Sequence, residues 1–192
     1  AKWGFNDIND AYKITGNIPF HEAGLLKLNC DKALSYLKWE SNLVYPETIQ
    51  MVSEWYFGFY KNKLDMYKFT LKQITEYDNY AAGRDDGKTG GEMGSIFFRK
   101  DRFEVLDKST FWLSENPDSL GSKGWNAVLP RIVSWVKLHD KENKKDFFFF
   151  NTHFSHVGEE ARTNSAKLLV KKIAEITEGY PVIISRSEER RV

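Results

Sequence analysis

The sequence has little of what defines several common classes of protein. Its single cysteine, Cys30, excludes a disulfide within the chain. Its 28 basic and 27 acidic residues leave a net charge of +1, so no overall field draws it towards nucleic acid or an anionic membrane. The longest apolar run, the phenylalanines at 147–150, is far too short to cross a bilayer. A non-specific nucleic-acid binder and a membrane-spanning protein are therefore disfavoured.

The first residues also lack a recognisable export signal. The start, AKWGFN, has no apolar stretch of the kind found at the centre of a signal peptide. A leader that is cleaved from the mature protein would leave no trace, so a cytoplasmic and a secreted location both stay open.

The sequence does contain enough apolar material for one core, and its periodicity predicts two helices. Of 192 residues, 41% are apolar and 15% aromatic, which is typical of a globular protein. Pro46 occupies a position typical of a first helical turn, and apolar residues recur on one face as far as Phe59. A second helix is predicted near residues 159–178, and Gly179 would end it.

Shorter apolar runs and alternating patterns predict the strands. They lie at residues 24–30, 95–99, 103–106, 110–113, 132–138, 146–151 and 181–184. The strand at 103–106 is predicted to be the hairpin partner of 95–99. Residues 116–127 form a long loop with proline and glycine, of the kind that often lines a site. Hairpins beside a strand–helix–strand unit indicate a mixed α/β fold.

Four short motifs follow one another in the second half of the chain. They are GRDDG from Gly83, GE from Gly91, LPR ending at Arg131, and NTHF from Asn151. In this order they resemble the endonuclease/exonuclease/phosphatase superfamily, the metal-dependent phosphoester hydrolases that include deoxyribonuclease I-like enzymes. A bacterial branch of that superfamily carries the run HFDHVGEEAR. Here the run reads HFSHVGEEAR, with Ser155 in place of the aspartate.

The resemblance implies a fold and a domain organisation. The expected fold is α/β, a layered sandwich of two mixed β-sheets flanked by helices, incomplete at the C-terminus. We predict one partial domain over residues 1–192. The match is best at residues 83–184 and weak at 1–62, and the tail at 185–192 is unmatched.

Three residues are predicted to form a catalytic group. His153 follows a buried strand, where an imidazole can face a cleft and donate a proton or hydrogen bond to a phosphate oxygen. The resemblance implies that Glu92 pairs with this histidine, and Asn151 is a candidate to position the substrate or the histidine. Without the motif, His153 would more simply be a hydrogen-bonded histidine at a strand end, and Glu92 an ordinary charged loop residue.

Two further residues are predicted to hold the substrate. The resemblance implies that Arg131 contacts the scissile phosphate, where a planar guanidinium can bind two oxygens. A salt bridge at the start of a strand is the alternative role for this arginine. Trp125, with Trp112 near the other end of the long loop, is a candidate stacking wall for a sugar or base, although aromatic side chains more often pack in a core.

The metal-binding part of the family pattern is incomplete. The resemblance implies Mg²⁺ as the cofactor, with Asn29 at the end of an early predicted strand as its candidate ligand. The family's principal metal carboxylate, a glutamate in a Gln-Glu pair, has no counterpart in residues 64–71. The Gly-Asp-Phe-Asn motif and the later Asp-His pair are also not found after residue 184. These departures predict a truncated or degenerate copy with impaired activity.

Two functions are therefore open from the sequence. The first is a metal-dependent phosphoester hydrolase-like domain, in which water attacks a phosphomonoester or phosphodiester with the assistance of a metal. The second is a non-catalytic module that binds a phosphorylated ligand through Arg131 and His153. The neutral charge favours a small substrate such as a sugar phosphate over long nucleic acid. A partner chain that completes the sheet is a further expectation.

Overall fold

The computed structural model of this chain describes residues 43–187, together with residues 4, 35, 36 and 38. The chain divides into two compact units, residues 1–73 and residues 74–192. The strand predicted at residues 24–30 lies outside the described residues. Within the part of the chain that is described, no helix is both long and apolar enough to cross a membrane.

In the first unit, helix α1 spans Tyr45–Tyr60 and confirms the first helix predicted from periodicity. Pro46 lies in its first turn, where a missing backbone N–H costs no helical hydrogen bond. The Glu47 carboxylate accepts a hydrogen bond from the Val44 backbone N–H at 2.9 Å, which satisfies a donor at the start of the helix.

Helix α2, Met66–Gln73, follows in the same unit. It covers most of residues 64–71, the stretch in which the family's metal carboxylate has no counterpart. Asp65 lies immediately before α2, and its carboxylate accepts a hydrogen bond from the Lys68 backbone N–H at 3.2 Å. That hydrogen bond lowers the pKa of Asp65. Asp65 therefore acts as a helix cap.

The described residues of the second unit form two β-sheets and a helix. In the first sheet, β1, Tyr77–Tyr80, pairs antiparallel with β2, Ile96–Arg99. The second sheet has the order β3-β4-β5-β6, with β3, β4 and β5 antiparallel and β6 parallel to β5. Its strands are, in chain order, Phe103–Trp112, Ile132–Asp140, Lys145–His153 and Val182–Ser187. Helix α3, Glu159–Thr177, connects β5 to β6 and confirms the second predicted helix.

Alternating side chains along β4 and β5 create two cores, one on each face of the larger sheet. One core lies against α3 and includes Val133, Trp135, Phe148, Phe150 and Leu169. The other joins the two sheets and includes Ile96, Phe98, Val136 and Leu138. Both faces of β4 are therefore buried, and the unit is an α/β layered sandwich, as predicted.

The predicted pairing of residues 95–99 with residues 103–106 is wrong. Residues 103–106 belong to β3, which also includes most of the strand predicted at 110–113 and pairs with β4. The partner of β2 is β1, and the backbone N–H of Lys100 donates to the Glu76 carbonyl beside that pair. The chain therefore passes from one sheet to the other at residues 100–102 instead of turning back on itself.

Candidate functional site

The loop that carries the GRDDG motif is folded against itself by backbone and carboxylate hydrogen bonds. The Asp86 carboxylate accepts from the backbone N–H groups of Lys88 at 2.7 Å and Gly90 at 2.8 Å, and these contacts lower the pKa of Asp86. A Cβ at Gly83 would overlap the Gly90 carbonyl oxygen, so the close approach of the two strands of the loop requires glycine there. The loop is therefore specified by its own sequence.

This loop presents Arg84 and Glu92 side by side. The Arg84 backbone N–H donates to the Glu92 carbonyl at 3.0 Å, next to an antiparallel bridge between Gly83 and Met93. The Arg84 carbonyl accepts a hydrogen bond from the Trp112 indole N–H at 2.6 Å. Because both backbone groups of Arg84 are engaged, the direction in which its side chain leaves the loop is well defined.

Arg131 approaches the same place from the start of β4. Its carbonyl accepts from the Leu113 backbone N–H at 2.7 Å, and the residue is only 6% exposed. One terminal nitrogen of its guanidinium, Nη1, donates to Glu92 Oε2 at 3.0 Å. Nη1 of Arg84 donates to the same oxygen at 2.6 Å. A single carboxylate oxygen therefore holds two guanidinium groups together.

The other terminal nitrogen of Arg131, Nη2, lies 3.0 Å from Nδ1 of His156. A guanidinium can only donate, so Nδ1 must accept, and the neutral His156 ring carries its proton on Nε2. Arg131 is thus oriented by a carboxylate on one side and an imidazole on the other.

His153 lies at the end of β5, partly buried. Its Nδ1 lies 2.7 Å from the Phe154 carbonyl oxygen, to which it must donate, so Nε2 of the neutral ring is left as an acceptor. The pairing of His153 with Glu92 implied by the resemblance is not made in this structure. A backbone carbonyl orients the imidazole instead, while Oε2 of Glu92 accepts hydrogen bonds from the two arginines.

The side-chain amide of Asn151 makes a hydrogen bond to the protein through its nitrogen and another through its oxygen. Its Nδ2 donates to the Ser95 carbonyl at 2.9 Å, and its Oδ1 accepts from the Ser185 hydroxyl at 2.9 Å. Asn151 therefore links β5 to β6 and to the segment before β2, which holds the smaller sheet beside the histidine.

These side chains line one cleft of about 170 Å³. Its walls are Arg84, Glu92, Met93, Gly94, Arg131, Ile132, Asn151, Thr152 and His153. Four of the predicted site residues, at positions 92, 131, 151 and 153, are therefore brought together. Ser155, which replaces the family aspartate, is buried, and its hydroxyl donates to the Val157 carbonyl.

Two of the predicted site residues are not brought to the cleft. Trp125 is half-buried in the long loop, with its backbone N–H bonded to the Glu115 carboxylate at 3.2 Å, and it does not line the cleft. Trp112 is 3% exposed and holds the Arg84 loop, so it offers no stacking face. Asn29 lies outside the described residues.

The described residues do not fit the Mg²⁺ site that the resemblance implies. Mg²⁺ binds oxygen ligands in octahedral geometry, usually with one or two carboxylates. Glu92 is the carboxylate among the cleft residues, and its Oε2 already accepts from two cations. No group of three or more His, Cys, Asp or Glu side chains in the described part of the chain is placed to hold a metal.

Comparison with known proteins supports the fold. The crystal structure of the endonuclease/exonuclease/phosphatase from Bacteroides vulgatus is 50% identical, with a TM-score of 0.61 over 64% of this chain and 47% of that one. A mannosyl-6-phosphatase from Bacteroides thetaiotaomicron is 44% identical, with a TM-score of 0.61 over 63% of this chain and 46% of that one. The chain thus has the fold of the endonuclease/exonuclease/phosphatase superfamily, as its motifs predicted.

The comparisons also show how much of each chain is similar. The chain spans about half the length of the solved structures it matches. An uncharacterised protein of Acanthamoeba polyphaga mimivirus is 25% identical in an alignment 118 positions long, and this alignment covers 52% of this chain and 17% of the viral protein. No family model matches the chain.

Sequence reasoning did not single out Arg84 or His156 as members of the site. Both lie inside motifs that were recognised, GRDDG and HFSHVGEEAR. The signal for Arg84 was its place in a glycine-bounded loop eight residues before Glu92. The contact of Arg84 with Glu92 and that of His156 with Arg131 depend on tertiary structure, so spacing alone did not predict these pairs.

Proposed function

We propose that this chain acts in the hydrolysis of a phosphoester, and that its substrate is a small phosphorylated molecule such as a sugar phosphate. The observation that carries the proposal is the convergence of two arginines and His153 on one cleft. Guanidinium groups in a cleft of low exposure bind phosphate oxygens by charge-assisted hydrogen bonds. The likeness to a mannosyl-6-phosphatase supports a small phosphorylated substrate.

Arg131 is the residue proposed to hold the phosphate. Its guanidinium is buried and is oriented from two sides, so little conformational entropy is lost when it binds an anion. A guanidinium that neutralises charge on the phosphate lowers the barrier to attack by water, because negative charge builds on the phosphoryl oxygens.

His153 is the residue proposed to move a proton. With Nδ1–H bonded to the Phe154 carbonyl, Nε2 carries the lone pair of the neutral ring. Nε2 can take a proton from the attacking water or, once protonated, give one to the leaving oxygen. The resemblance assigned the orienting role to the Glu92 carboxylate, which is bonded to the two arginines. In this protein the Phe154 carbonyl orients His153.

A non-catalytic module that binds a phosphorylated ligand is the second candidate. It is favoured by the composition of the cleft, which presents two guanidiniums while its carboxylate is already bound by both. Such a module would use the same arginines, so binding of phosphate alone does not separate the two candidates. Turnover does.

The test is phosphate release from mannose 6-phosphate in the presence of Mg²⁺. His153→Ala is expected to lower the rate by about 100-fold or more, the usual contribution of a positioned acid or base. The matched control is His139→Ala, because His139 bonds to the Asp146 carboxylate at 2.6 Å and does not line the cleft. Equal rates for wild type and His153→Ala would contradict the proposal. Binding of phosphate without release would favour the module.

A further inference from the structure

The contact between Glu92 and the two arginines has the form of an occupied anion site. One carboxylate oxygen accepts hydrogen bonds from Arg84 at 2.6 Å and Arg131 at 3.0 Å. The guanidinium side chains are 16% and 6% exposed, whereas the Glu92 side chain is 50% exposed. The two guanidinium groups are therefore mostly buried, and the Glu92 carboxylate that joins them is more exposed to solvent.

Arg84 has donor capacity that this contact does not use. Its Nε is buried and makes no hydrogen bond to any described residue. Oδ1 of Asp85 lies 3.7 Å from this nitrogen, which is within ion-pair range but beyond hydrogen-bond distance. A buried donor without an acceptor is unfavourable, and a ligand with several oxygens would satisfy it.

Glu92 can leave this position only if another anion replaces it. Two neighbouring guanidiniums of low exposure, left without a counter-ion, would repel each other and would be poorly solvated. A phosphate group brings several oxygens and up to two negative charges, so it can replace one carboxylate oxygen at both arginines at once.

We infer that Arg84 is a second phosphate-binding residue of the cleft, and that Glu92 is an exchangeable counter-ion which an incoming phosphate displaces from both arginines. This inference deepens the proposed function and rests on it for the identity of the ligand. Two arginines suit the terminal phosphate of a monoester, which is dianionic and has three terminal oxygens. A diester carries one charge and two terminal oxygens, and it should bind less well.

The experiment is isothermal titration calorimetry of the full chain with inorganic phosphate and with dimethyl phosphate. Arg84→Gln is expected to weaken phosphate binding by about 10- to 100-fold, the range for loss of a charge-assisted hydrogen bond. Arg84→Lys keeps the charge but not the fork of donors, and it is expected to bind with intermediate affinity. Arg99→Gln is the matched control, because Arg99 is an exposed arginine that pairs with Asp101. It should bind phosphate like the wild type.

Glu92→Gln gives the sharper result, because the side chain keeps its size and loses its charge. If Glu92 competes with the ligand, phosphate binding should become tighter by about threefold or more. Weaker binding in Glu92→Gln would mean that the carboxylate is needed to hold the arginines in place, and it would overturn the inference.

The preference between ligands is a second, independent readout. Wild type is expected to bind phosphate at least about tenfold more tightly than dimethyl phosphate, and Arg84→Gln should lose most of that difference. Wild-type phosphate affinity in Arg84→Gln would overturn the inference even if His153-dependent hydrolysis is found. If hydrolysis is not found but both variants shift phosphate binding as stated, the proposed function fails and the inference stands.

Discussion

At the scale of single residues, carboxylates of the second unit accept hydrogen bonds from several donors at once. Asp140, at the end of β4, shows this outside the cleft. Its carboxylate accepts from the Arg102 guanidinium at 3.0 Å, from the Asn143 side chain at 2.7 Å and from the Glu142 backbone N–H at 3.0 Å. The Arg102 contact, followed by those of Asn143, holds the pKa of Asp140 far below its usual value. The ionised carboxylate is thus part of the β4–β5 turn.

This depressed pKa predicts a pH-dependent contribution to stability. The unfolded chain takes up a proton at this residue near pH ~4, whereas the folded chain holds the carboxylate ionised to lower pH. The stabilisation is present in full above pH ~4 and is lost progressively as the pH falls below that value. Asp140→Asn should therefore lower the urea midpoint at pH 7. The difference from wild type should shrink at pH 3, and a difference that grew on acidification would contradict the account.

At the scale of secondary-structure elements, the two longer helices and the longer strands could be predicted because their apolar patterns are strong, whereas the eight-residue helix α2 was not predicted. The periodicity predicted α1 and α3, the alternation of apolar and polar residues predicted β4, and the apolar run at residues 147–150 predicted β5. The strand β1 was missed because Tyr-Asp-Asn-Tyr has neither an apolar run nor a clear alternation. Without β1, residues 95–99 had no candidate partner except the next strand along the chain, and that produced the wrong hairpin.

The residues of the candidate site were likewise predicted only in part. Motif order led to Arg131 and His153, which line the cleft. It could not show that Glu92 bonds to two arginines in place of the histidine, because that choice depends on how the loop of residues 83–94 lies against β4. The role of Arg84 was hidden for the same reason. Sequence motifs identify which residues meet in a site more readily than which atoms pair there.

The packing of α3 on the larger sheet gives a prediction at this scale. Leu169 is 6% exposed and contacts the core that includes Trp135 and Phe150, whereas its neighbour Val170 is 69% exposed. Leu169→Ala is expected to lower the free energy of unfolding by about 2–5 kcal/mol, because it removes buried apolar atoms and leaves a cavity. Val170→Ala should change it by less than about 0.5 kcal/mol. Equal effects of the two substitutions on urea unfolding would show that α3 does not pack as described.

At the scale of the whole molecule, the β6 edge of the larger sheet is where we expect a partner chain to bind. Among the described residues β6 pairs only with β5, and its Ile183 and Ile184 side chains are about half exposed. Apolar side chains on an unpaired edge strand favour the addition of another strand. We therefore predict association through this edge, seen by light scattering as a mass above the 22.4 kDa of one chain. Ile183→Lys should reduce it, and a wild-type mass of one chain at high concentration would contradict the prediction.

The proposed function requires that the cleft between the Arg84 loop, the start of β4 and the end of β5 binds phosphate. The most direct test is a crystal structure of the protein with inorganic phosphate at millimolar concentration. We expect a phosphate whose oxygens lie within hydrogen-bond distance of both Arg84 and Arg131, near His153 Nε2, with the Glu92 carboxylate moved away from the two guanidiniums. A cleft without phosphate, in which Glu92 still joins the two arginines, would contradict it.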